Sequence, residues 1–195
     1  MIIKQFLLIS ILAIAYTNSK AQSYEKQYEK CSESLKKMDN VDSVYFELVK
    51  KRDSCLVGTI VPNLNVKTIE GKQIELSKLK GSVIVLNFWF TRCQPCIGEM
   101  PELNKLVSYY SGKKVEFISF APEDNATLKA FILKHPFNFD IVPESENIRS
   151  EDFKLFSAWP YFIIIDQAGK ISKMWFGATE NIQLNFVKTI DHLLN

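Results

Sequence analysis

Residues 83–96 decide the fold of this chain, and they have the sequence VIVLNFWFTRCQPC. Residues 83–90 are apolar except for Asn87, which is typical of a strand covered on both faces. Cys93 and Cys96 follow, where this strand gives way to a predicted helix. The unpaired N–H groups and partial positive charge of a helix N-terminus favour thiolate over thiol, and thiolate is the attacking form in disulfide exchange. The segment therefore predicts redox chemistry on sulfur.

The rest of the C-terminal part alternates between strands and helices. Further strands are predicted at 115–121, 139–142, 161–165 and 171–176, and helices at 96–110, 126–134, 150–156 and 182–194. Because a helix lies between strands 83–90 and 115–121, these two strands are expected to be parallel with a right-handed crossover. The predicted class is α/β, a mixed sheet with helices on both faces. The cysteines then lie at the carboxyl edge of the sheet, where α/β proteins place their chemistry.

The N-terminal part has a different pattern. Residues 61–69 and 72–76 predict a β-hairpin with Gly71 in its turn. Residues 22–57 contain neither proline nor glycine, and their apolar residues recur at helical spacing on both sides of a turn at 39–40. Members of the first stripe are Tyr24, Tyr28, Cys31, Leu35 and Met38. This pattern predicts a helical extension packed on the main domain, with a partner-binding arm as the alternative.

The first residues have the character of a signal peptide, predicted for 1–21. Lys4 precedes an apolar core at 6–16, and Ser19 and Ala21 are small residues at the positions that a signal peptidase recognises. The apolar core is shorter than the roughly 20 residues that a membrane-spanning helix needs. The mature chain is thus expected to be soluble in the periplasm or another extracytoplasmic space, with an extension at 22–57 and a main domain at 58–195. An oxidising space permits disulfides.

Charge and composition give little information about partners. The chain has a formal net charge of +2, and Lys4 and Lys20 supply both of the excess charges within the predicted signal peptide. No nucleic-acid partner, cofactor or metal is predicted, and a monomer is expected. A zinc site formed by all four cysteines is a weaker alternative, because such sites normally contain two close cysteine pairs and this chain has one.

Residues 87–101, NFWFTRCQPCIGEMP, resemble the active-site segment of thioredoxin-fold proteins, most closely the exported TlpA-like and ResA-like branch. The resemblance includes the aromatic Trp89 four residues before the first thiol, Pro95 between the thiols, and Pro101 five residues after the second. Trp159-Pro160 resembles the cis-proline loop of the family. The resemblance covers about 59–194 and leaves the predicted extension unaccounted for.

This resemblance implies a thiol-disulfide oxidoreductase. Cys93 would be the exposed nucleophile and Cys96 the more buried thiol that resolves the mixed disulfide. The partners would be exported proteins with disulfides or dithiols, and a membrane thiol electron donor would keep the chain reduced. Some members of the branch keep cytochrome c cysteines reduced for haem attachment, which favours a reductant, although the same steps run backwards would oxidise a partner.

The chain departs from the family pattern close to the thiols. Asn87 stands where thioredoxin has a buried acid, so Glu99, at a position where the branch often has a glutamate, is the candidate to help deprotonate Cys96. Alternatively, Glu99 only complements the helix N-terminus. Arg92 replaces a tryptophan, and its cation would favour the Cys93 thiolate unless solvent screens it.

Aromatic residues are frequent around the predicted site. Phe88 is expected in the core, whereas Trp89 and Trp159 are expected on a surface where a protein substrate docks. The resemblance implies that Pro160 is cis, which would bring the backbone of Trp159 beside the thiols, where an extended substrate segment could pair with it as an added strand.

The remaining cysteines, Cys31 and Cys55, are predicted to form a structural disulfide, with an unpaired, buried Cys31 as the alternative. If the chain reverses near Asn40, this bond requires the second helix to end or bend before Cys55. Two other functions remain open. One is a peroxiredoxin-like thiol peroxidase, although that family's usual threonine lies three residues before its cysteine and Thr91 lies two before Cys93. The other is a noncatalytic metal- or thiol-binding module.

Overall fold

A computed structural model describes residues 24–37, 43–179 and 181–195. The predicted signal peptide at 1–21 lies outside the described residues, as do Met38 and the expected turn at 39–40. In the described ranges, no helix combines the length and the apolar character needed to cross a bilayer.

The central sheet has five strands in the order β5-β4-β3-β6-β7. Strands β3 (Val83–Phe88), β4 (Val115–Phe120) and β5 (Asp140–Val142) are parallel to one another, whereas β6 (Tyr161–Ile165) and β7 (Ile171–Phe176) form an antiparallel edge. The predicted mixed sheet and the parallel pairing of its first two strands are therefore confirmed. The predicted hairpin is also present, as β1 (Asn65–Lys67) paired with β2 (Gln73–Glu75).

Five α-helices surround the sheet in the described part of the chain. They are α1 (residues 24–31), α2 (Ser43–Leu56), α3 (Gln94–Tyr109), α4 (Asn125–Ile132) and α5 (Ile182–Leu194). The helix predicted at 150–156 is instead a single π-type turn at Ile148–Asp152. Its residues Ile148 and Arg149 accept backbone hydrogen bonds from Phe153 and Leu155, which lead the chain towards β6.

The core consists of two layers because side chains on β3 alternate between the faces of the sheet. Val83 and Val85 face the layer under α3, α4 and α5, whereas Leu86 and Phe88 face a second layer. Tyr24 of α1 and Leu56 of α2 pack into this second layer, together with the hairpin. The expectation of helices on both faces is thus confirmed. Each fully buried aliphatic side chain contributes about 1.5–3 kcal/mol.

A disulfide links α1 to α2. Cys31 and Cys55 are bonded across a Cα–Cα distance of 5.7 Å and a sequence separation of 24. The expectation that α2 must end or bend before Cys55 is wrong, because α2 continues to Leu56. The reason is that α1 ends at residue 31 and the chain then turns through a short 3-10 helix at Leu35–Lys37, so the reversal is not the simple hairpin that the apolar stripe suggested.

This disulfide predicts a measurable stability difference. In the double variant Cys31→Ser/Cys55→Ser, the free energy of unfolding should fall by about 3 kcal/mol, because the bond closes a long loop in the unfolded chain. Denaturant unfolding of the oxidised proteins measures this difference. With dithiothreitol present, the wild type and the variant should unfold at the same denaturant concentration. Equal stability without reductant would contradict the prediction.

Candidate active site

Cys93 occupies the N-cap position of α3, five residues after the last residue of β3. Pro95 lies in the first turn of α3, where its missing N–H costs no hydrogen bond. The backbone N–H of Cys96 donates to the Cys93 sulfur at 3.3 Å, and the N–H of Ile97 donates to the Cys93 carbonyl at 3.0 Å. A helix N-terminus thus directs an amide at this sulfur, as the sequence predicts.

Cys93 and Cys96 are joined in a disulfide with a Cα–Cα distance of 5.2 Å. The expectation that Cys93 is exposed is wrong in this oxidised form, because Cys93 and Cys96 are both buried, with exposed fractions of 4% and 3%. Both cysteines pack in the same cluster as Met100, with the partly buried Phe90 and Trp159 against that cluster. The disulfide is therefore buried within the apolar layer under α3.

Glu99 lies one helical turn after Cys96 and is only 8% exposed. One carboxylate oxygen, Oε1, accepts a hydrogen bond from the backbone N–H of Thr179 at 3.1 Å, whereas Oε2 is buried without a partner in the described structure. Burial raises the pKa of Glu99 from its ordinary value of 4.5 to about 7, although the Thr179 N–H opposes this rise. A carboxyl group that titrates near neutral pH can exchange protons there.

The centre of the sheet beneath α3 carries two buried polar side chains. Asn87 lies on β3, at the position where thioredoxin has a buried acid, and its register partner on β4 is Ser119. The Asn87 Nδ2 and the Ser119 Oγ are both buried without hydrogen-bond partners among the described residues. The amide of Asn87 cannot take up a proton from a thiol. Glu99 is the buried acid on α3 that lies closest in sequence to Cys96.

The loop before Cys93 is held by Glu123, a residue that no sequence pattern singles out. Glu123 follows β4 at the same edge of the sheet, and its Oε1 accepts hydrogen bonds from the Thr91 N–H at 2.8 Å and the Thr91 hydroxyl at 2.6 Å. Thr179 was missed in the same way. Both contacts join residues far apart in sequence, 32 and 80 positions, so no local pattern reveals them.

The expectation that Trp89 lines a docking surface is wrong. Its side chain is 0% exposed, and its ring packs against Phe131 and Phe137 with centroid distances of 5.3 and 5.7 Å. The alternation of β3 continues past the end of the strand and turns Trp89 towards the α3 layer of the core. Phe88, on the opposite face, is buried as predicted.

The other predicted site residues lie around the thiols. Arg92 is exposed, so solvent screens its charge. Trp159 is half-buried between the ring of Phe90 at 5.3 Å and the guanidinium of Arg149 at 5.0 Å. The Trp159–Pro160 peptide is cis, and the Pro160 carbonyl accepts a hydrogen bond from the Gly177 N–H at 2.8 Å.

The raised pKa of Glu99 predicts a pH-dependent stability. The folded chain binds this proton more tightly than the unfolded chain, so the free energy of unfolding should fall as pH rises from about 4.5 to about 7. In Glu99→Gln this component of the pH dependence should be absent, and the variant should gain stability relative to wild type between pH 5 and 8. Denaturant unfolding of the oxidised wild type and variant at pH 5 and at pH 8 measures this difference in stability.

A matched control is Glu102→Gln, which changes a partly exposed acid on the same helix that pairs with Lys105 at 2.6 Å. Its pH dependence should follow that of the wild type. The interpretation of Glu99 would be wrong if Glu99→Gln and Glu102→Gln had the same pH dependence.

Comparison with known proteins agrees with this architecture. Residues 57–174 match the model of the AhpC/TSA family. The thiol-disulfide oxidoreductase ResA of Bacillus cereus is 32% identical over 143 residues, which cover 73% of this chain and 82% of the relative. A ResA of Halalkalibacterium halodurans is also 32% identical, over 148 residues that cover 75% of this chain and 84% of the relative.

A solved structure from Chlorobium tepidum, described as a thiol:disulfide interchange protein of the thioredoxin family, superposes with a TM-score of 0.60. It is 19% identical, and the superposition covers 70% of this chain and 96% of that one. At this identity the likeness concerns the fold alone. The chain therefore belongs to the AhpC/TSA family, with the fold of thioredoxin.

Proposed function

We propose that this chain is an extracytoplasmic thiol-disulfide oxidoreductase that reduces disulfides in exported proteins. The observation that carries the proposal is the N-cap geometry of Cys93, whose sulfur receives the Cys96 N–H at 3.3 Å. An amide directed at the sulfur stabilises a thiolate, and a vicinal cysteine can close a ring with it. Two relatives that are each 32% identical to this chain are named thiol-disulfide oxidoreductases.

The reaction begins with the reduced pair. The Cys93 thiolate attacks one sulfur of a substrate disulfide, a mixed disulfide forms, and the other substrate sulfur leaves as a thiolate. Cys96 then loses its proton and attacks the Cys93 sulfur, which releases the second substrate thiolate and forms the Cys93–Cys96 bond of the structure. Two electrons pass from the pair to the substrate. Glu99, one turn away and with a pKa of about 7, is the group we assign to accept the Cys96 proton.

The cycle requires a second partner that supplies electrons. A dithiol donor in the membrane would reduce Cys93–Cys96 by the same two exchange steps in reverse and become a disulfide itself. The sequence of residues 1–21 supports export, and the resemblance to the ResA-like branch supports a place in cytochrome c biogenesis, where haem-binding cysteines must be reduced. The exposed Arg92 and the half-buried Trp159 are the side chains we assign to substrate contact.

The structure gives less support to a thiol peroxidase. Phe90, not threonine, lies three residues before Cys93, and the Thr91 hydroxyl donates to Glu123 at 2.6 Å. This hydrogen bond directs the Thr91 hydroxyl to the loop after β4. The Thr91 hydroxyl is therefore already bonded to Glu123.

Mixed-disulfide trapping tests the proposed function. In Cys96→Ser, the bond between Cys93 and a substrate cannot be resolved, so exported proteins should accumulate as covalent adducts that dithiothreitol releases. Cys93→Ser should form no adducts, and its rate of reduction of a peptide disulfide should fall to the uncatalysed background. Adducts are measured in the native compartment by non-reducing electrophoresis and mass spectrometry.

Two results would contradict the proposal. Adducts that form equally in Cys93→Ser would show that another thiol reacts. Rapid turnover of hydrogen peroxide by Cys96→Ser, without disulfide reduction by the wild type, would instead establish a peroxidase. The redox state of Cys93 and Cys96 in the cell, measured by thiol alkylation, tests the direction. A reductant should be recovered mainly as the dithiol.

A further inference from the structure

The segment that leads into Pro160 is supported from behind by α1 and α2. The hydroxyl of Tyr24 donates to the Phe153 carbonyl at 2.9 Å, and the Lys154 ammonium pairs with Glu25 at 3.3 Å. Residues 24–56, which make these contacts, lie outside the 57–174 range that matches the family. The extension therefore contacts the segment before Pro160 through elements that the family match does not include.

The central contact is a buried ion pair on α2 that reaches Tyr161. Arg52 donates through Nε and Nη2 to Asp53 Oδ1, at 2.9 and 2.6 Å. The Tyr161 hydroxyl donates to Asp53 Oδ2 and accepts from Arg52 Nη2 at 3.0 Å. The remaining nitrogen, Arg52 Nη1, lies 3.5 Å from the Lys154 carbonyl, and the Tyr28 ring lies 5.6 Å from the guanidinium.

Burial makes this arrangement selective for one geometry. Arg52 and Asp53 are each 3% exposed, and Tyr161 is 0% exposed. Removing two charges from water costs several kcal/mol per ion, so such a pair adds little net stability over apolar residues of the same size. Its directional hydrogen bonds instead fix the position of each partner. The partner fixed here from 108 residues away is Tyr161, directly after the cis peptide.

The position of Tyr161 determines that of the residues beside the thiols. Tyr161 is in register with Phe88 on β3 and with Phe176 on β7. Two residues earlier, the Trp159 ring contacts Phe90, which precedes Cys93 by three positions, and the N–H of Cys93 donates to the Phe90 carbonyl at 3.0 Å. A displaced Tyr161 would therefore move Trp159 relative to the disulfide.

We infer that Arg52 and Asp53 of the extension are positioning residues for substrate binding, because through the Tyr161 hydroxyl they hold the Trp159-Pro160 backbone where a polypeptide substrate meets Cys93. This inference rests on the proposed function and adds a determinant that lies outside the family match. Its occupant is an extended, cysteine-containing polypeptide rather than a small disulfide, because a small disulfide does not need the backbone of that loop.

The test compares two disulfide probes with reduced protein from which the reductant has been removed. One probe is a linear peptide with an internal disulfide, and the other is oxidised glutathione. In Tyr161→Phe, the peptide concentration that gives half the limiting rate should rise about tenfold, as expected when a hydrogen bond to a charged group is lost. The limiting rate should fall much less, and the loss with glutathione should be several-fold smaller than with the peptide.

A second variant separates positioning from stability. The combined change Arg52→Met, Asp53→Leu and Tyr161→Phe replaces the network by apolar side chains, which often preserves or raises the stability of the fold. It should remain folded in thermal unfolding yet show the same selective loss with the peptide. Glu47→Gln is the matched control, because it breaks an exposed pair with Lys50 on the same helix, and its kinetics should equal those of the wild type.

Several outcomes would overturn the inference. One is a half-saturating peptide concentration within twofold of the wild type in both variants. Another is an equal loss with both probes, or a loss that follows the unfolded fraction, since either would assign the network a purely structural role. If the wild type reduces neither probe, the proposed function fails together with the inference. If the wild type is active and the variants equal it, only the inference fails.

Discussion

The first N–H groups of a helix have no partners inside the helix, and at the start of α3 the Cys93 sulfur accepts a hydrogen bond from one of them, the Cys96 N–H. The remainder of the site follows from this constraint. Because β3 is covered on both faces, it fixes the point at which α3 starts, and Cys93 caps α3 at that point. Cys96 and Glu99 then follow at successive helical turns, so both face the layer of core between α3 and the sheet.

The two layers of the core treat polar groups differently. On the side of α3, the side-chain atoms Asn87 Nδ2, Ser119 Oγ and Glu99 Oε2 are buried without partners among the described residues. On the opposite side, the Arg52, Asp53 and Tyr161 groups satisfy one another. Unsatisfied polar atoms cost stability and are retained where chemistry needs them, whereas satisfied networks specify a geometry. The thiols belong to the layer that contains the unpartnered polar atoms, and Tyr161, two residues after Trp159, belongs to the layer that contains the satisfied network.

Local patterns in the sequence were sufficient for the C-terminal elements. The bounds of β6, β7 and α5 agree with those predicted, because apolar runs end at the Asp166–Gly169 turn and at residue 177. The end of α1 at residue 31 was not predictable, since the apolar stripe continues beyond it. The burial of Trp89 depends on the face of the sheet to which its side chain points, and aromatic content alone does not reveal that face. The contacts of Glu123 and of Arg52 with Asp53 and Tyr161 depend on tertiary pairing, which leaves no periodic signal.

The molecule contains two disulfides, Cys31–Cys55 and Cys93–Cys96, and they occupy different places in the fold. Gly58, three residues after Cys55, is hydrogen-bonded to Ile171 at the start of β7, whereas Phe176 at the other end of β7 is in register with Tyr161, which directly follows the cis peptide. Five residue steps along this strand span roughly 16 Å. The Cys31–Cys55 bond and the Cys93–Cys96 bond therefore lie towards opposite ends of β7. The length of β7 thus keeps the reactive sulfur of Cys93 apart from the structural disulfide of its own molecule.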